Sequence, residues 1–188
     1  VRLIRTNIKL ADAKMQMGKL VEEMFNTVPC GVGRGGVVKF SKPELRKLMA
    51  EGSRFVVKRG FGWDSDVEVT EAHGCIPDAD PDSLSDRALS RGSDQCGTLG
   101  SGNHFMEVQV VERIDDPKAA AAMGLVEGNL TVMIHSGSRG LGYQVCEDAL
   151  KDLEHTPRKY GIELPDRQLV CAPVESPEGQ AYLGAMRA

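Results

Sequence analysis

Two runs of alternating apolar and polar residues, Phe105–Ile114 and Leu130–His135, each abut a glycine-rich segment that carries a histidine. This arrangement limits the chain more than any other feature. Alternation with period two predicts strands, and in the first run Met106, Val108 and Val110 face one side while Glu107 and Gln109 face the other, so one face is wet. His104 follows Gly100-Ser101-Gly102-Asn103 at the start of the first strand. His135 ends the second strand and leads into Ser136-Gly137-Ser138-Arg139-Gly140-Leu141-Gly142. If the strands pair antiparallel, His104 and His135 become cross-strand neighbours, and opposed Cβ atoms lie about 4.5–5.5 Å apart, within reach of one metal or two adjacent ones. If they pair parallel, through a helical crossover in 115–129, the histidines lie at opposite ends. The sequence leaves both pairings open.

Around this centre the pattern alternates without strict β-α-β order. Val1–Ile8 reads as a strand and Lys14–Phe25 as an amphipathic helix with Met17, Leu20, Val21 and Met24 on one face. Ser41-Lys42-Pro43-Glu44 is a capping box opening a helix that Gly52 ends. Arg54–Val57 reads as a short strand, and Gly60–Asp66 as a turn carrying Trp63. A helix is expected from Asp80-Pro81-Asp82-Ser83 to about Arg91, stopping at Gly92, and another over about Tyr143–Glu154. The fold class predicted is α+β, with mixed sheets and packed helices. No repeat of 20–50 residues is visible.

Composition bears on function chiefly by exclusion. With 23 Lys and Arg against 27 Asp and Glu, the 188 residues carry a formal net charge of -4, which excludes nucleic-acid binding by bulk positive charge. The longest apolar runs fall short of the roughly 18 residues a membrane span needs. Five cysteines, an odd number without C-x-x-C spacing, fit a reducing, cytoplasmic setting and read as small buried hydrophobes. The chain starts at Val1 inside a strand pattern, and the helix opened by Ser176-Pro177-Glu178 reaches Ala188 without a stop signal. Both ends are therefore expected to be cut from a longer chain.

The glycine segments share a physical logic. Glycine lets backbone N–H groups approach an oxyanion, and a helix N-terminus following the second segment favours phosphate. Arg139 adds a planar fork suited to phosphate oxygens. The loop at Gly31–Gly36 with Arg34 is a weaker version. His73 and His155 are ordinary surface or helix-tail histidines, and a histidine at a strand end is ordinarily just hydrogen-bonded. Two of them, each fused to a glycine segment, raise metal binding to an equal reading.

The stretches Asp94-Gln95-Cys96-Gly97-Thr98-Leu99-Gly100-Ser101-Gly102-Asn103-His104-Phe105-Met106-Glu107 and His135-Ser136-Gly137-Ser138-Arg139-Gly140-Leu141-Gly142 resemble the signature segments of the RtcB family of RNA-splicing ligases. The likeness continues through Val28-Pro29-Cys30-Gly31-Val32-Gly33 and Ser176-Pro177-Glu178-Gly179-Gln180. It implies that residues 1–188 are part of a single RtcB-like catalytic domain, truncated at both ends. The implied reaction joins RNA ends bearing a 2′,3′-cyclic phosphate or 3′-phosphate to 5′-hydroxyl ends, with GTP, two Mn²⁺ ions and a histidine–GMP intermediate.

Carried over by position, the resemblance makes His104 and His135 manganese ligands. Asn103, His104, Phe105, Met106 and Glu107 would line the GTP site, with Asn103 near the α-phosphate, and Arg139 would hold a phosphate of RNA or nucleotide. The family's bridging cysteine and its aspartate partner precede the position of Val1. The third metal histidine and the guanylated histidine lie beyond Ala188, so the piece alone is expected to be inactive. No role passes to Cys30, Cys75 or Cys96. The resemblance leaves open whether the substrate is tRNA halves or broken RNA ends, and whether an archease-type activator is required. Two alternatives stand beside the ligase: a non-catalytic RNA- or nucleotide-binding module, and an unrelated metal-dependent hydrolase.

Overall fold

A computed structural model describes residues 1–31, 36–166 and 168–188. In chain order the elements are β1 (Arg2–Lys9), α1 (Leu10–Ala13), α2 (Met17–Thr27), α3 (Lys42–Glu51), α4 (Ser53–Lys58), α5 (Asp64–Glu68) and α6 (Asp86–Ser93). They continue with β2 (Phe105–Val110), α7 (Pro117–Met123), β3 (Asn129–His135), α8 (Arg139–Asp152), α9 (Thr156–Lys159) and α10 (Pro177–Arg187). The fold is α+β. Its sheet, in the order β1-β3-β2, is antiparallel throughout rather than mixed. No helix among the described residues is long and apolar enough to cross a membrane.

The chain divides into two compact units. The first comprises Val1–Val38 and Gln95–Gly137. Its centre is β3, flanked on both sides, so that Leu130 and Thr131 are buried. Val111 N–H donates to the Asn129 carbonyl and Gly128 N–H to the Val111 carbonyl, which carries the β2–β3 ladder down to its turn. Between these strands lies α7, capped by the Asp116 carboxylate, which accepts from the Lys118 and Ala119 N–H groups. A seven-residue helix followed by a turn thus folds back into an antiparallel pair, and the parallel crossover is excluded. The expected amphipathic helix is present as α2, preceded by a 3₁₀ turn, but its apolar face is not covered: Leu20 and Val21 are exposed and Phe25 is 81% exposed.

The second unit, Lys39–Asp94 and Ser138–Ala188, is helical. Its interior is formed by Leu45, Phe55, Leu84, Leu89, Leu141, Val145 and Leu153. The capping box at Ser41 forms as expected, with Glu44 accepting from both the Ser41 N–H and its hydroxyl, and Gly52 ends α3. Arg54–Val57 is helix, not strand. Phe55 packs edge-on against Phe40 at 5.5 Å while the Arg59 guanidinium covers its ring at 5.4 Å, and this burial overrides the β-preference of Val56 and Val57. The helix expected from Asp80 is two elements: a 3₁₀ turn, Pro81–Ser83, capped by Asp80, and then α6, capped by Ser85. Gly92 lies inside α6 rather than stopping it. It faces Leu141 so closely that a Cβ there would stand 2.9 Å from Leu141 Cδ1. Small size, not chain termination, is what this glycine provides.

Candidate active site

His104 emerges from a turn, residues 101–103, directly before β2. The preceding segment is held from two sides. Leu99 N–H donates to the Pro29 carbonyl at 2.9 Å, and Gly31 N–H donates to the Gly100 carbonyl at 2.9 Å. The Ser136 hydroxyl donates to the Leu99 carbonyl at 2.8 Å. Three stretches distant in sequence are thereby tied together beside the histidine. Gly100 has φ +113° and Gly102 φ +67°, backbone that a side chain adopts only with strain, so the turn is a glycine turn for conformational reasons.

The Nδ1 atom of His104 is buried and has no hydrogen-bond partner among the described residues. Gly137 lies against the same ring, where a Cβ would approach Cε1 to 3.9 Å. A buried polar atom left without a partner costs about 1–3 kcal/mol, and protein interiors rarely tolerate one without a reason. Coordination of a metal at that nitrogen would remove the penalty. The fit therefore holds for His104 as a ligand.

His135, the last residue of β3, is exposed. The antiparallel register sets it opposite Phe105, not His104: the sequence-based opposition of the two histidines is off by one residue. Phe105 and His135 stack with ring centroids 5.1 Å apart and planes at 20°, which fixes the orientation of the imidazole. The pleat then sorts the rest of the run. Phe105 and Glu107 share the face of His135 and Met133, while Met106 pairs with Ile134 on the other. Glu107 is exposed and accepts from Gln109 Nε2 at 2.7 Å, and Asn103 is exposed in the turn. The face predicted to be wet thus carries Phe105, Glu107 and His135, while Met106 lies on the other and His104 precedes the strand.

Ser136–Gly142 is not one loop. Arg139–Gly142 form the first turn of α8, with Arg139 at φ +53°. The boundary between the two units falls within this motif, between Gly137 and Ser138. Leu141, Gln144 and Val145, spaced as one face of a helix, are buried, and that periodicity starts where the glycines had suggested a loop. Arg34 lies outside the described residues. His73 and His155 are exposed on the second unit, in a 3₁₀ turn and at the start of α9. Partial burial pushes the Cys96 thiol up, away from thiolate, but none of the five cysteines is fully buried and Cys30 and Cys146 are exposed, so the expectation of small buried hydrophobes does not hold. Among the described residues, no three or more His, Cys, Asp and Glu side chains converge on a metal-sized site. Sequence reasoning missed the Phe105–His135 stack and the Ser136 tether, both consequences of strand register.

A family model described as "tRNA-splicing ligase RtcB" matches residues 1–188. The chain belongs to the RtcB family. Similar curated RtcB proteins, each named tRNA-splicing ligase RtcB, include that of Archaeoglobus fulgidus, 50% identical over 188 residues, which is 100% of this chain and 39% of that protein. The RtcB protein of Methanocaldococcus jannaschii is 50% identical over 186 residues, 99% of this chain and 19% of that protein. That of Pyrococcus furiosus is 48% identical over 188 residues, 100% of this chain and 19% of its own length. The chain thus spans between about a fifth and two fifths of the RtcB relatives it matches.

Proposed function

We propose that the protein carrying this chain is a GTP- and Mn²⁺-dependent RNA ligase that joins 3′-phosphate or 2′,3′-cyclic phosphate ends to 5′-hydroxyl ends, through a histidine–GMP intermediate formed on a histidine outside residues 1–188. The observation that carries this reading is the buried, unpartnered Nδ1 of His104, on a turn held in place by Pro29, Gly31 and Ser136. Membership of the RtcB family supports the reaction class.

In this reading His104 and His135 present imidazoles to Mn²⁺, which accepts nitrogen donors together with phosphate oxygens. Bound there, the metal would offset charge that builds on the phosphoryl oxygens during transfer. Phe105 holds the His135 ring by stacking, and Ser136 fixes the turn that aims His104. Asn103 and Glu107 offer an amide and a carboxylate to GTP, and Arg139 offers its fork to a phosphate. Met106, on the opposite face, acts through packing. Two imidazoles do not complete a manganese coordination sphere, so further ligands come from substrate, solvent and residues that the longer relatives have in addition. We place the protein in the cytoplasm on the cysteine argument.

End joining by the full-length protein tests the proposal. An RNA with a 3′-phosphate should be joined to a 5′-hydroxyl RNA only with both GTP and Mn²⁺, and His104→Ala should lower the rate by a factor of 100 or more. RNA binding without joining under these conditions would favour the non-catalytic module instead.

A further inference from the structure

The single tryptophan of the 188 residues, Trp63, is 77% exposed on the second unit, and the proposed site does not use it. Its backbone is nonetheless held firmly. Gly60 N–H donates to the Val57 carbonyl at 2.9 Å and Phe61 N–H to that of Val56 at 3.0 Å, which folds the turn back on the end of α4. Trp63 N–H donates to Asp66 Oδ2 at 2.9 Å, and the Trp63 carbonyl accepts from the Asp66 N–H at 2.9 Å, which ties the residue to the start of α5. Between them Gly62 has φ +143°, and a Cβ there would stand 3.2 Å from both Val57 Cγ2 and Asp66 Oδ2. The turn is therefore clamped at both ends while its two aromatic side chains face solvent, Phe61 at 49% exposure.

An isolated exposed apolar side chain needs no explanation, but a tryptophan and a phenylalanine on one rigid turn mark a surface that another molecule covers. Aromatic anchors on fixed backbone lose little entropy on binding, and tryptophan is among the residues that dominate protein interfaces. The charges around the turn decide what fits. Lys58 and Arg59 directly precede it, and Asp64 and Glu68 follow it on α5. Lys58 and Arg59 pair with Glu51 and Glu44 yet stay 70% and 46% exposed, and such surface pairs exchange partners at little cost. Asp64 and Glu68 make no ion pair among the described residues. Carboxylates beside the indole repel phosphates, which disfavours RNA as the occupant. A partner of one charge sign would meet a like charge on one side of the turn. A second copy related by a two-fold axis meets none, because isologous pairing sets the basic side of each copy on the acidic side of the other.

We propose that this face is where two copies of the protein pair about a two-fold axis, with Phe61 and Trp63 of each packing on those of the other. Lys58 and Arg59 of one copy face Asp64 and Glu68 of the second. Two anchors per copy suit a weak dimer that forms as concentration rises, not an obligate one. The proposal stands independently of the ligase reading.

Sedimentation velocity of the full-length protein over a wide range of concentration is the test. The wild type should pass from monomer to dimer, and Trp63→Ala should raise the dimer dissociation constant by about tenfold or more, because symmetry makes each substitution remove two anchors. Phe61→Ala should act in the same direction. Glu68→Lys should weaken the dimer about fivefold, most strongly at low salt, and adding Lys58→Glu should recover it. A wild type that stays monomeric throughout, or a dimer that Trp63→Ala leaves untouched, overturns the proposal. A double variant no better than Glu68→Lys alone refutes the two-fold arrangement, and this pair decides if Trp63→Ala fails to fold. A monomer in which Trp63→Ala lowers the melting temperature would show the ring covered by other residues of the same molecule. A monomer in which Trp63→Ala weakens binding of a single-stranded oligoribonucleotide would give the surface to RNA. Failure of end joining by a protein that still dimerises through Trp63 would count against the ligase reading alone.

Discussion

His104 and Glu178 show how differently two polar side chains can be treated within one chain. The Nδ1 of His104 is buried without a partner among the described residues, a cost that a metal or another hydrogen-bonding group at that nitrogen would relieve. Glu178, in the first turn of α10, is over-satisfied: the Lys159 ammonium, a backbone N–H and the Tyr160 hydroxyl hold its carboxyl down to about 2. A carboxyl depressed from its ordinary value of 4.5 contributes stability that is fully present above that value and is lost as pH falls towards 2. Glu178→Gln should therefore flatten the acid limb of a melting-temperature profile taken between about pH 2 and 6. An unchanged acid limb would mean that the ion pair contributes nothing in solution, as many surface pairs do. Residue identity alone announced the helix start at Ser176-Pro177-Glu178. It gave no sign of Lys159 and Tyr160, which reach Glu178 only through tertiary packing.

Among the elements, those whose signals are local were legible. The capping box at Ser41, the strand alternation in β2 and β3, and the end of α3 at Gly52 are each set by a few neighbouring residues. Elements set by what packs on them were not. Arg54–Val57 becomes helix because Phe55 is buried against Phe40, and residues 139–142 become helix because Leu141 opens a buried face. Strand register was legible to within one residue: antiparallel pairing was one of two options, and only the ladder shows that His135 faces Phe105. Gly52 illustrates both kinds of constraint. Its φ of +60° suits glycine, and a Cβ there would run into the Gly74 carbonyl, a backbone atom that cannot swing aside. Gly52→Ala should cost about 2 kcal/mol or more in urea denaturation, well above the effect of an ordinary surface substitution.

At the scale of the molecule, two compact units share one chain, and the second signature segment passes from one to the other between Gly137 and Ser138. The net charge of -4 does not count against the proposed RNA chemistry, because metal-bound imidazoles and turn amides act locally rather than through bulk charge. The chain covers 39% of the A. fulgidus relative and 19% of the M. jannaschii one, and among the described residues no three His, Cys, Asp or Glu side chains converge on a metal-sized site. In the proposed site His104 and His135 would hold Mn²⁺. Titration of Mn²⁺ into the full-length protein, with free ion followed by electron paramagnetic resonance, tests it most directly. His104→Ala and His135→Ala should each weaken binding at least tenfold while melting like wild type in the absence of metal; affinities equal to wild type in both variants would contradict the metal site.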